Sequence, residues 1–472
     1  MSRLFFIFLA ATSLLVTQPT YGKPNIVLFL ADDLGWTGLS CFGSDFYETP
    51  HLDKLAEKGM KFTDAYSGCT VCSPSRAAIM TGLTPAKLHL TTFIPGQNRP
   101  FAKLNNPNWT LGLEDKYITV AEALKYGGYR TWQIGKWHLD FPGESVGPTG
   151  HGFDFSQDRP AGSQGHFLSD EAAGDLGLDS NYATDYFGKL AAKKIADESA
   201  DPFFLYFAFH VPHTPVTGRK DLSAYFGGKI SDGLLHHNAN YAAMVKSMDD
   251  AVGKVVEALD ASGQADNTLI IFTSDNGGLT QRYGKHDNFT ENLPLRRGKG
   301  SAYEGGTRVP TIVYWPEVVK PGTICDEPII GHDFYPTLLE ITGIKGNEEH
   351  NEIMEGVSIT SLLKDSEATL ERDLFWHFPH YHAGGDSPYS SIRSKDWRLV
   401  DFFEDGSIEL YNLKNDIGES HNLAANNPEI AEELHQRLKR WREDVGAQMM
   451  TKNPNFDPER QTEVVKGKRK KK

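Results

Sequence analysis

Four apolar runs in this chain each end in polar residues able to bind a cation or move a proton. IVLFLADD (26–33) ends in Asp32 and Asp33, and TWQIGKWH (131–138) in Lys136 and His138. PFFLYFAFHVPH (202–213) ends in His210 and His213, and TLIIFTSDNGG (268–278) in Asp275 and Asn276. Such unbroken runs read as strands buried on both faces, as in parallel sheets. One polar ending means little, because buried strands often stop at a polar turn. Four with complementary chemistry predict one shared site at the carboxyl ends of a sheet, where open α/β sheets hold ligands. Between the runs, 49–59, 119–128, 181–199 and 240–263 carry helical spacing of apolar residues or glycine stops. The alternation predicts an α/β domain with a mostly parallel sheet flanked by helices. Short alternating segments after about residue 379, then a helical pattern over 427–443, predict a smaller α+β subdomain with a short antiparallel sheet. The expected division is a large domain at 23–374 and a C-terminal subdomain at 375–460. The long segments 93–109 and 141–179 are expected to wall a cleft.

The formal charge of -14 over 472 residues argues against a nucleic-acid-binding surface, while leaving room for a local basic pocket. Arg3, the apolar stretch from Leu4 to Val16 and small residues before Lys23 predict a cleaved export signal over 1–22. That stretch is too short to span a bilayer comfortably. The expected location is periplasmic or secreted, with no stable membrane insertion. The lysine-rich end predicts a flexible basic tail over 461–472. Four cysteines (Cys41, Cys69, Cys72 and Cys325) are too few for a disulfide scaffold in an exported chain of this size.

Residues 69–82 read CTVCSPSRAAIMTG. Ser73 is expected to cap a helix, with Pro74 in its first turn. Cys72 then sits at the positive end of the helix dipole, with Arg76 one turn on, a setting suited to a nucleophile that meets an anion. The stretch resembles the Cys-x-Pro-Ser-Arg signature of type I sulfatases, followed by their Thr-Gly pair at Thr81 and Gly82. IGKWH resembles the family's Gly-Lys-x-His element, and GKGSAYEGGTRVP (298–310) its Gly-Lys-Gly segment. The resemblance runs from about residue 24 to about 413. His51 stands where relatives commonly carry Asn.

This resemblance implies an alkaline-phosphatase-like fold and hydrolysis of sulfate esters through Cys72 oxidised to formylglycine. The modification implies a formylglycine-generating or anaerobic sulfatase-maturating enzyme as partner. It assigns a cation to Asp32, Asp33, Asp275, Asn276 and the converted Cys72. An oxygen-rich set suits a hard ion, with Ca²⁺ preferred and Mg²⁺ the alternative. Arg76, Lys136 and Lys299 are expected on the sulfuryl oxygens, His138 on the aldehyde hydrate, and His213 as proton donor to the leaving alcohol. Arg308 is expected to anchor its loop, Gly305-Gly306 to allow close backbone packing, and Cys69 to be a packed residue rather than a disulfide partner. Long polar loops favour a sulfated carbohydrate, with Trp109, Trp137, Phe141, His166, Arg282, His286 and Asp287 as candidate sugar contacts. The alternatives are a phosphoester or phosphonate hydrolase on the same scaffold, and a non-catalytic sulfated-glycan-binding protein.

Overall fold

The computed structural model describes residues 23–143, 146–160, 162–175, 177–178, 180–197, 201–280, 289–385 and 387–466. The expected export signal (1–22), Arg282, His286 and Asp287, and the end of the tail (467–472) lie outside the described residues.

Eight strands form the main sheet, in the order Thr323–Cys325, Met60–Phe62, Thr311–Tyr314, Thr268–Ser274, Asn25–Ala31, Phe203–Ala208, Arg130–Gly135, Phe155–Gln157. Thr311–Tyr314 runs against both of its neighbours, and the remaining pairings are parallel. The four apolar runs are the four adjacent central strands. Asn25–Ala31 shows why those runs lack alternation. Val27, Phe29 and Ala31 enter one core while Ile26, Leu28 and Leu30 enter the other, so every position is buried. Ala183–Asp197 and Ala239–Ala261 cover the first face. Cys72–Thr81, Val120–Tyr126 and Phe334–Thr342 cover the second.

A second sheet of four antiparallel strands follows: Asp373–Phe378, Tyr389–Ser394, Trp397–Phe402 and Ile408–Asn412. Helix Pro428–Asp444 buries Ala431, Leu434 and Leu438 on one face of it. The other face carries Trp376, Tyr389, Val400 and Phe402 onto Tyr66, Val71 and Tyr303 of the main body. The two layers thus share a core beside the Cys72 helix. Part of the expected tail is ordered: Val465–Lys466 pair antiparallel with Gln97–Asn98. Among the described residues, no helix is long and apolar enough to cross a membrane.

Candidate active site

The central strands are parallel and in step, so their carboxyl ends arrive at one edge. Ala31 pairs with Ser274, Leu30 with Ala208, and Gly135 with Ala208. The next residues stay tied across the strand ends: the Asp275 N–H donates to the Ala31 carbonyl at 3.1 Å, and the Lys136 N–H to that of Ala208 at 2.8 Å. Asp33 (φ 68°) and His138 (φ 63°) then turn into the left-handed region, sparsely used by residues with a side chain. Both therefore leave the strand direction where the site begins.

Helix Cys72–Thr81 presents Cys72 as its first residue and ends at Gly82 (φ 70°). Ser73 is not the cap. Val71 takes the extended cap conformation without a side-chain bond, and the Ser73 hydroxyl accepts from the Ile94 N–H at 3.1 Å instead. The correction moves the helix start onto Cys72. Its thiol stays protonated, since burial pushes its pKa up. Cys69 is a free, buried thiol, as expected.

Around Cys72, three carboxylates face three side-chain cations. Arg76 donates from Nε (2.9 Å) and Nη2 (2.7 Å) to Asp275 Oδ2, and from Nη1 to the Lys136 carbonyl at 2.9 Å. Lys136 Nζ reaches Asp32 Oδ1 at 2.8 Å and Oδ2 at 2.6 Å. Lys299 Nζ spans both Asp33 oxygens, at 2.6 and 2.7 Å, and lies 3.8 Å from Cys72 Sγ. Burial opposes ionisation of Asp32 and Asp33, yet these cations hold both carboxyls below the usual range. Burial raises Asp275 to about 7 against the pull of Arg76.

The cluster fits a hard cation. Asp32, Asp33, Cys72 and His213 offer donor atoms that all lie within 4.8 Å of one another. Asn276 Nδ2 donates to Asp33 Oδ1 at 2.8 Å, which leaves its buried Oδ1 with no hydrogen-bond partner. An orphaned amide oxygen beside two carboxylates is the donor such an ion takes. Asp275 is the more engaged residue, because its Oδ1 also accepts from the Asp33 N–H at 3.1 Å.

The histidines divide by their hydrogen bonds. His138 Nε2 donates to the Ile94 carbonyl at 2.7 Å, so the neutral ring keeps a buried acceptor, Nδ1, without a partner. Burial holds its pKa well below the ordinary value. His213 Nδ1 donates to the Thr214 carbonyl at 2.7 Å, which turns Nε2 toward Asp33 Oδ2, 3.7 Å away. In its neutral form His213 therefore accepts at Nε2, and Lys299 is the standing proton-bearing donor on that side. His210 lies off the cluster, bound to Asp158 at 2.7 Å and to Arg159 at 3.4 Å.

The loop with Lys299 packs without side-chain clearance. A Cβ on Gly305 would fall 2.2 Å from the Arg297 carbonyl oxygen, and one on Gly306 2.4 Å from that of Ser301. Arg308 anchors the loop to Asp64 and to Glu304. Two expected sugar contacts need correction. Trp137 is 3% exposed, its ring packed on His151 and Phe153 in the core. His166 is buried and donates to the His213 carbonyl at 3.0 Å, a supporting position. Trp109 packs against Gly96 and the His380 ring, and Phe141 against Gly112. Sequence reading passed over Arg99 and His382, which the fold brings to the rim; neither lies in a run or spacing that signals a site.

The sulfatase family matches residues 24–344, and the family "N-sulphoglucosamine sulphohydrolase, C-terminal" matches 298–444. The chain belongs to the sulfatase family and is a sulfuric ester hydrolase by class. It is 33% identical to a sulfatase of Formosa agariphila, over 89% of this chain and 88% of that protein. It is 31% identical to human arylsulfatase A, over 90% and 88%. An N-acetylgalactosamine-6-O-sulfatase of Bacteroides thetaiotaomicron is 29% identical over 88% and 93%. Among solved structures, Ps i-CgsB in complex with k-i-k-neocarrahexaose superposes with a TM-score of 0.74 at 29% identity, over 92% of this chain and 94% of that one.

Proposed function

We propose that this protein removes sulfate from sulfated carbohydrates, outside the cytoplasm, after a maturating enzyme has converted Cys72 to formylglycine. The observation that carries the reading is Cys72 at a buried helix N-terminus, 3.8 Å from Lys299 Nζ and ringed by Arg76, Lys136 and three carboxylates. The carbohydrate assignment is supported by similarity to an N-acetylgalactosamine-6-O-sulfatase and to a structure holding a neocarrahexaose.

Calcium is the cation we assign, held by Asp32, Asp33, Asp275, Asn276 and residue 72, and when bound it supplies positive charge to the sulfuryl oxygens and to the nucleophile. In its hydrated form, formylglycine supplies one hydroxyl to attack sulfur and a second whose deprotonation expels sulfate, a release route that serine lacks. The remaining work falls to unmodified side chains. Arg76 and Lys136 orient the sulfuryl oxygens, and their charge is already balanced by Asp275 and Asp32. Asp275 takes the proton of the attacking hydroxyl. Lys299 lies where the bridging oxygen leaves and donates to it, while His213 shares that side through Nε2. The free Nδ1 of His138 accepts the last proton before sulfate departs.

The test combines peptide mass spectrometry of residue 72 with turnover of sulfate and phosphate esters of one alcohol, then of sulfated carrageenan, ulvan and glycosaminoglycan oligosaccharides. The expected result is activity in proportion to the converted fraction, preference for sulfate, and release from at least one glycan. Active protein carrying only the thiol at residue 72 would sink the mechanism. Exclusive turnover of steroid sulfate would overturn the substrate assignment.

A further inference from the structure

The rim of the site beside Lys299 is built by two segments that sequence spacing does not connect. One is the loop after strand Asp373–Phe378, which carries Tyr381 and His382. The other is the loop with Arg99. The His382 ring stands over Gly300, the residue after Lys299: a Cβ on Gly300 would fall 2.1 Å from His382 Nδ1. Lys299, Asp33 and Arg99 all stand close enough to act on the charge of its ring. His382 Nδ1 accepts from the Gly384 N–H at 3.2 Å, which places the proton of the neutral ring on Nε2. That Nε2 has no hydrogen-bond partner among the described residues, and His382 is partly exposed.

Arg99 donates from Nη2 to the His382 carbonyl at 3.2 Å and stacks on the Tyr381 ring, 5.4 Å from its centroid. Its Nε is buried without a partner. Among the described residues, no carboxylate lies within ion-pair distance of its guanidinium, in contrast to Arg76, Arg308, Arg393 and Arg398, which are all paired. Glu404, to which the Tyr381 hydroxyl donates at 3.1 Å, acts on the Arg99 charge without forming an ion pair, so an anion within hydrogen-bond reach would still complete the half-buried guanidinium.

The loop is also held firmly. Gln97–Asn98 and Leu104–Asn105 pair with Val465–Lys466 and Thr451–Lys452. Asn453 Nδ2 donates to the Pro100 and Ala102 carbonyls at 2.9 and 2.7 Å, and Arg460 stacks on Phe101 at 3.5 Å. The C-terminal arm thus fixes the segment on both sides of Arg99, and a fixed donor binds with less ordering cost than a mobile one.

We propose that Arg99 and His382 form a second recognition point, on the leaving-alcohol side, for a further anionic group of the sulfated sugar chain: a uronate carboxylate or a second sulfate. The proposal rests on the sulfated-carbohydrate reading above. It places the sugar that departs from sulfate against Lys299, with its charged neighbour on Arg99 and a hydroxyl or anionic oxygen on His382 Nε2.

The test is calorimetric binding to full-length protein carrying Cys72→Ser, in calcium-containing buffer, so that no turnover is needed. The probes are singly sulfated neocarrabiose, doubly sulfated neocarrabiose and a carboxylate-bearing chondroitin sulfate disaccharide. Charge-assisted pairing predicts that at least one doubly anionic probe binds about tenfold tighter than the singly sulfated one. Arg99→Gln is expected to bring that ratio close to one, and Arg99→Lys to restore part of it. A gain confined to the doubly sulfated probe identifies sulfate as the partner, and one confined to the chondroitin probe identifies carboxylate. Equal binding of all three, binding of none, or a ratio untouched by Arg99→Gln would overturn the proposal. Failure of converted enzyme to hydrolyse any sulfate ester would refute the parent reading and leave this comparison readable on its own.

Discussion

Arg76 does three jobs with one planar fork. It pairs with Asp275 through two nitrogens, holds the Lys136 carbonyl with a third, and leaves Asp32 Oδ1 at 3.6 Å. A lysine at that position keeps the charge but has neither the planar fork nor the reach to meet all of these partners. We expect Arg76→Lys to lower kcat on an aryl sulfate by about a hundredfold or more, the scale for losing one positioned donor in such a site. The measurement is turnover corrected for formylglycine content; kcat close to wild type would show that charge alone suffices. The residue types here were legible in the sequence because Cys72, Ser73, Pro74 and Arg76 are contiguous. The bonds were not. The Ser73 hydroxyl accepts from the Ile94 N–H, 21 residues away, and the protonated nitrogen of His213 turns back onto the Thr214 carbonyl, outcomes that the residue types alone do not fix.

The loop carrying Lys299 is held by a buried ionic junction with the second sheet. Arg398, fully buried, joins Glu304 and lies 3.5 Å from Glu419, and donates to the Ala302 carbonyl at 2.7 Å. The Glu304 N–H donates to Glu419 at 2.7 Å, and Tyr389 donates to the Ser301 carbonyl at 3.0 Å. Burial pushes Glu419 up to about 8; it opposes ionisation of Glu304 too, but Arg398 and Arg308 hold that carboxyl low. Removing one partner of such a junction leaves buried charge without compensation, which costs about 3–5 kcal/mol. Arg398→Met should therefore lower the unfolding free energy by that order in denaturant titration. It should also reduce kcat, since the segment between Lys299 and Glu304 loses its brace. Unchanged stability would mean that Glu304 and Glu419 repartner without Arg398. The strands of the second sheet were readable from their alternation, and the junction was not, because isolated arginines and glutamates in loops carry no periodic signal.

At the scale of the whole molecule, the layer between the second sheet and the main body buries neutral histidines. His377 bonds Ser390 and the Gln448 carbonyl, and His380 bonds Thr91 at 2.8 Å. Burial pushes them down to about 4 and about 3. In the unfolded chain each takes up its proton near the ordinary value of about 6.5. Above that pH both states are neutral and the pair costs nothing. As pH falls below it, the unfolded state binds protons first, so stability declines until the folded values are reached. Urea unfolding between pH 7.5 and 4.5 should show this slope, and His380→Gln should flatten it; a profile unchanged by the substitution would remove His380 from the account. The sequence by itself determined the central sheet, its covering helices and the inventory of the site. A strand buried on both faces must be written as an unbroken apolar run, and its chemistry must stand at the end of that run. Only the tertiary structure decided which inventory members meet, that Trp137 and His166 face inward, and that Arg99 and His382 reach the rim from segments about 280 residues apart. Those outcomes depend on the register of parallel strands and the docking of two layers, contacts between distant segments that local sequence pattern does not encode.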